Sequence, residues 1–200
     1  MKPIEYRGSL TREQFMFYET RIVAKKIQEG KSEEETVKEI VADNLFQFPT
    51  EKNIKSIATG CYRRLQSADN RNLVALVADA SADIGKQAAL YALMCYNAVV
   101  YDFMVEVIGE KYRTQDLMFD KSCVTRFCSE LRNKDEKVSE WSDATMNKIR
   151  QVLLKTLVDT GYLNSTSSKE LNPVYLYEEV LECINDNGDQ EICPAFNHLR

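Results

Sequence analysis

The sequence predicts a mainly α-helical protein, and three observations predict it. Apolar residues recur at three- and four-residue steps through most of the chain. Capping residues and glycine stops bracket those stretches, and a strand, turn and returning strand are read only at residues 162 to 176. Two hundred residues with 44% hydrophobic content, 28% charged residues and a mean hydropathy of −0.40 suit an ordinary soluble chain with one sizeable core or two small ones.

The first module is expected over residues 1–68. From Thr11 to Glu29, Phe15, Tyr18, Ile22, Val23 and Ile27 form one apolar stripe, with Thr11 as the expected N-cap and Gly30 as the stop. Ser32 and Glu35 make a capping box ahead of Val37, Ile40 and Val41. The connector Leu45-Phe46-Gln47-Phe48-Pro49 is too apolar for a solvated loop, so its rings are expected to plug the core. Thr50 is the expected cap of a third helix, which places Ile54, Ile57, Ala58, Cys61 and Leu65 on one face. Lys52, Lys55, Ser56, Thr59 and Arg63 fall on the other.

Three helices in this order predict a helix-turn-helix, whose last helix enters the major groove by its N-terminal half. Lys52, Asn53, Lys55 and Ser56 are then the candidate base readers, and Arg63 and Arg64 the phosphate contacts. An amphipathic helix with four basic residues is equally ordinary in a solvated bundle, so the pattern alone leaves both readings open.

Residues 69–113 read as a central helical core: Asn70 to Ala78, then a nearly all-round apolar segment from Ser81 to Ile108, ended by Gly109. Residues 114–200 read as a winged-helix-like module with a short β-hairpin and an acidic C-terminal tail. One helix is expected from Asp116 to Arg132. A second opens at Ser142 and runs to about Asp159, followed by Tyr162-Leu163, a polar turn from Asn164 to Lys169, and a returning strand to Leu176. On the second helix Thr145, Asn147, Lys148, Gln151 and Lys155, with Arg150 beside them, are the candidate DNA-facing residues. Winged helices also serve as protein-binding modules, and this one has mixed charge. Trp141 is expected to anchor the core at the helix entrance.

Charge is uneven. Residues 1–67 carry a net +2, residues 68–177 a net −2 and residues 178–200 a net −5. An acidic chain is no bulk polyanion binder, so DNA contact requires a local basic surface and is expected to be salt-sensitive. The six cysteines are scattered without CxxC spacing and the single histidine is His198, so reduced thiols and no metal site are expected. No signal-peptide pattern or uninterrupted apolar span is visible, which predicts a cytoplasmic protein away from membranes. Neither a Gly-rich phosphate loop nor a Ser-His-Asp or Cys-His arrangement is present, so no enzyme and no cofactor are expected.

Ser9-Leu10-Thr11 with Glu13 and Phe15, Glu19 to Ala24, Glu29-Gly30, Asn44-Leu45-Phe46-Gln47-Phe48, Thr50-Glu51 and Arg63-Arg64-Leu65 together resemble the BrxA family of bacterial BREX phage-defence systems. Beyond residue 70 the likeness is one of overall character, with Gly161-Tyr162-Leu163 as the local match. The resemblance implies a small, non-catalytic component of a multi-gene system that distinguishes host from phage DNA by methylation. It also implies a helical protein with affinity for double-stranded DNA, and other BREX proteins as partners. An adaptor that assembles defence components without touching DNA, with the acidic stretch Glu178 to Glu191 as a docking surface, is the alternative. A homo-oligomer would double the basic surface, although no heptad seam announces one.

Overall fold

Helix-favouring periodicity and local caps organise almost the whole chain, and the computed structural model, which describes residues 5–199, is mainly helical. The chain divides into two compact units. One comprises Phe15–Tyr96 and Tyr177–Asn187; the other comprises residues up to Gln14, Asn97–Leu176, and the chain from Gly188 onward. The expected central core at 69–113 is therefore shared out, its first part packing with the N-terminal helices and its second with the C-terminal ones.

In the first unit α1 spans Phe17–Gln28, α2 Glu33–Ala42, α3 Glu51–Ser67, α4 Arg71–Asp79 and α5 Ala82–Tyr96. The α1 start differs from the sequence expectation. Met16 takes a left-handed backbone (φ 48°) that breaks the helix, so Thr11 caps nothing there; it lies in a 3-10 turn at Gly8–Thr11 and donates its hydroxyl to the Gly8 carbonyl. Gly30 does stop the helix, at φ 80°, a conformation that costs a glycine nothing. The Ser32–Glu35 box closes in both directions, the Glu35 N–H to Ser32 Oγ at 3.3 Å and the Ser32 N–H to Glu35 Oε2 at 2.9 Å.

The α2–α3 connector is held by Asn44, whose side chain accepts from the Phe48 N–H and donates to the Phe48 carbonyl. Phe46 is buried there and meets Phe48 edge-on. Thr50 precedes α3 without a side-chain cap bond; the first-turn amides of Asn53 and Ile54 use its carbonyl instead. Arg21 ties α1 to the α4–α5 link through the Val77 and Ala80 carbonyls, 2.9 and 2.7 Å away, while lying over the Phe17 ring. The acidic C-terminal tail carries a helix. Helix Glu178–Asp186 buries Val180, Cys183 and Ile184 in this unit, and Asn187 donates to the Ala68 carbonyl and Tyr91 hydroxyl, both at 2.7 Å.

The longest segment of the second unit begins at Asn97, whose side chain accepts from the Val99 N–H and caps a new helix, so the apolar stretch from Ser81 is not one continuous helix. There α6 spans Ala98–Asp102, a π-helical segment Phe103–Gly109 follows, and α7 spans Glu110–Arg113. Gly109 does not end it. Its missing side chain instead lets the chain at Pro194–Ala195 approach, where a Cβ would meet Ala195 N at 3.2 Å.

The next helix, α8, spans Lys121–Lys134, later than the sequence suggests, because Asp120 caps it and Leu117 to Phe119 run extended. The short α9 spans Glu136–Ser139 and α10 spans Asp143–Asp159, capped by Ser142. Trp141 is half-buried rather than fully sequestered.

The expected hairpin is not formed, and no strand occurs among the described residues. One isolated antiparallel bridge joins Met118 to Glu170, with Phe119 N–H to the Lys169 carbonyl and Leu171 N–H to the Leu117 carbonyl, both at 2.9 Å. Competing bonds and a proline account for this. Tyr162 and Leu163 are pinned in the core, Tyr162 by its hydroxyl to the Ala195 carbonyl and Leu163 by its N–H to the Leu157 carbonyl. Asn172 N–H reaches the Tyr162 carbonyl at 2.9 Å, but Pro173 has no N–H with which to extend a ladder.

Candidate nucleic-acid interface

Two long amphipathic helices, one in each unit, carry the predicted residues. On α3 the buried face is Ile54, Ile57, Ala58, Cys61 and Leu65, as the periodicity demands. Lys52, Asn53 and Lys55 are exposed on its first turns, with Ser56 and Thr59 half-buried beside them. Neither lysine has an ion-pair partner among the described residues.

The arginines at the other end of α3 behave differently. Arg63 is exposed but grips the Glu33 carboxylate, Nε at 3.2 Å and Nη2 at 2.9 Å. Arg64 is 1% exposed and donates from Nη1 to the Phe15 carbonyl at 2.7 Å. Contrary to expectation, Arg64 is not a phosphate contact: a guanidinium wholly inside the fold cannot reach a duplex.

On α10, Met146, Ile149, Val152, Leu153 and Leu157 are buried, while Asn147, Lys148, Gln151 and Lys155 are exposed. Thr145 is half-buried and shares its hydroxyl with Ser142 Oγ at 3.0 Å. Arg150 folds back, donating from Nη1 to Asn147 Oδ1 at 2.7 Å. Its guanidinium also lies close enough to stabilise the Cys128 thiolate, yet burial dominates and pushes that thiol up. Lys148 and Lys155 have no ion-pair partner among the described residues.

A feature outside the predicted set lies in the second unit, where a cleft of about 330 Å³ is lined by Asp120, Lys121, Ser122 and the loop Thr166–Lys169. The sequence signal was an aspartate N-cap followed by lysine, together with the serine-rich turn at 165–168. What the sequence hides is that the two meet.

The six cysteines are free thiols. Among the described residues no group of three or more His, Cys, Asp or Glu side chains is placed to hold a metal, and no single helix is long and apolar enough to cross a membrane.

A BrxA family model matches residues 4–188. The chain belongs to the BrxA family. A BREX protein BrxA from Bacillus cereus (strain H3081.97) is 28% identical over 185 residues, covering 92% of each chain. The BrxA of Escherichia coli O9:H4 (strain HS) is 25% identical over 193 residues, covering 96% of this chain and 90% of its own. That of Paramagnetospirillum magneticum (strain ATCC 700264 / AMB-1) is 24% identical over 174 residues. A crystal structure of an uncharacterized protein from Magnetospirillum magneticum superposes with a TM-score of 0.81 at 23% identity, covering 96% of this chain and 97% of that one. It shares the BrxA-family fold seen here.

Proposed function

We propose that this chain is a non-catalytic, double-stranded-DNA-binding component of a BREX phage-defence system, acting in the cytoplasm. The defence role is supported by relatives named BREX protein BrxA that match nearly end to end. The observation that carries DNA binding is the set of exposed lysines, Lys52 and Lys55 on α3 and Lys148 and Lys155 on α10, each on a helix whose opposite face is core. Such a helix offers cations to phosphates and short polar groups, here Asn53, Ser56, Asn147 and Gln151, to base edges.

The order of elements adds to the reading. In the first unit α1, α2 and α3 follow one another as in a helix-turn-helix. In the second, α6–α7, the extended Leu117–Phe119, α8, α10, Tyr162–Leu163, a loop and Lys169–Asn172 follow as in a winged helix. Residues 169–172 bond on one side to Leu117–Phe119, twice, and on the other to Tyr162, once, the neighbour relations of a wing sheet in much reduced form.

The test is duplex retardation at about 50 and about 200 mM salt, between which phosphate-driven binding falls steeply. K52E/K55E and K148E/K155E variants with wild-type melting curves are expected to lose most of the binding. A wild-type protein that retards no duplex at either salt overturns the reading. The adaptor reading has one observation of its own, the outward acidic face Glu178, Glu179 and Glu182 on a helix anchored by Val180, Cys183 and Ile184. Loss of a co-purifying defence protein on E178K/E179K/E182K, from a chain indifferent to DNA, would favour it.

A further inference from the structure

The cleft between the start of α8 and the loop at 165–169 gathers cations from segments distant in sequence. Lys121 and Lys169 line it, with the hydroxyl-bearing Ser122 and Thr166. Both lysines are exposed, and neither has an ion-pair partner among the described residues. The bonds between Phe119 and Lys169 and between Leu171 and Leu117 fix the loop's backbone against the segment that leads into the helix, so both lysines line one cleft before any ligand arrives.

One carboxylate shares the cleft. Asp120 accepts the Ser122 N–H at 2.6 Å, and the Ser122 hydroxyl and N–H, helped by the charge of Lys169, hold its carboxyl below the usual range, so it is ionised at neutral pH.

We propose that this cleft seats one backbone phosphate of a DNA duplex, with Lys121 and Lys169 as the contacting cations and Asp120 as a built-in brake on affinity. The proposal rests on the DNA-binding reading above. Two ammonium groups and one carboxylate leave one positive charge, which a phosphodiester, itself singly charged, balances. The hydroxyl of Thr166 is suited to its unbridged oxygens, while that of Ser122 is held by Asp120. Asp120 keeps that balance from becoming strongly positive, so binding stays reversible and salt-sensitive.

The experiment measures duplex affinity across a salt series for wild type, K121A/K169A and D120N. Loss of one phosphate contact is expected to weaken binding about tenfold and to flatten the log–log salt slope by about one. D120N keeps an equally good helix cap, so it is expected to tighten binding about threefold or more without changing the melting curve. This gain would not come from a merely structural role.

If both variants bind like wild type while K52E/K55E or K148E/K155E does not, the cleft proposal falls and the DNA reading stands. If wild type shows no salt-dependent retardation, both fall. Thermal stabilisation by inorganic phosphate that K121A/K169A abolishes, with duplex affinity unchanged, would instead give the cleft to a small phosphate and overturn the proposal.

Discussion

Helices α3 and α10 each bury one face and expose another, yet they treat their two kinds of cation alike and their neighbourhoods differently. In both, the arginines are engaged within the fold: Arg64 on a buried carbonyl, Arg63 on Glu33, Arg150 on Asn147. In both, the exposed lysines have no ion-pair partner among the described residues. A guanidinium has five fixed donors and a weakly held hydration shell, so it satisfies carbonyls and carboxylates inside a structure more readily than an ammonium does. The difference lies beside the helices. The unit that contains α10 also holds a loop–helix cleft with two more lysines, whereas α3 is preceded by a connector closed by Asn44 and Phe46. Counting basic residues along a helix therefore overstates the cations it can offer to a phosphate, because the arginines are already engaged within the fold.

The largest effect that could break this comparison is at Arg64. Arg64→Ala leaves the Phe15 carbonyl without its donor and a void in the core, and is expected to cost about 2–4 kcal/mol of stability by chemical denaturation. A change near zero would mean that the guanidinium is not structural after all. Next come the lysine pairs. K52E/K55E and K148E/K155E are each expected to weaken duplex binding at least about tenfold at about 100 mM salt. Arg63→Gln is expected to change binding less than about twofold, because its charge is already met by Glu33. An Arg63→Gln loss as large as that of a lysine pair would erase the distinction.

Much of this was legible in the sequence. The capping box at Ser32–Glu35, the α3 and α10 faces and the Gly30 stop follow from local chemistry that acts within one turn. Arg64 could not be read, since its partner Phe15 lies in another segment and only packing brings them together. The hairpin failed for a similar reason. Residues 169–171 found Leu117–Phe119, which sequence spacing does not reveal, in preference to a full ladder with Tyr162–Leu163. Thr50 looked like a cap, yet its backbone rather than its side chain serves the first turn.

The caps give a smaller test. Ser32→Ala is expected to lose about 1 kcal/mol, whereas Thr50→Ala should stay within about 0.5 kcal/mol, both by denaturant titration. The smallest effect is electrostatic. Lys31, then Lys26, holds the Glu29 carboxyl below its usual range, and Lys26, then Lys31, does the same for Glu39. A carboxyl lowered on folding stabilises the fold above its ordinary pKa, and that contribution is lost as pH falls through the folded value. Glu39→Gln is therefore expected to flatten the acid limb of the stability profile below about pH 4, with the difference shrinking in high salt.

The return of Glu178–Asp186 to the helices of residues 15–96 has a consequence for synthesis. Val180, Cys183 and Ile184 complete a core whose other walls emerge from the ribosome roughly eighty residues and several seconds earlier, at typical rates of about 5–20 residues per second. During that interval the N-terminal unit waits with an apolar seam uncovered, while the segment inserted in its middle is translated. A chain truncated before Glu178 keeps that seam open permanently, so helix Glu178–Asp186 acts as the fastener of the N-terminal half.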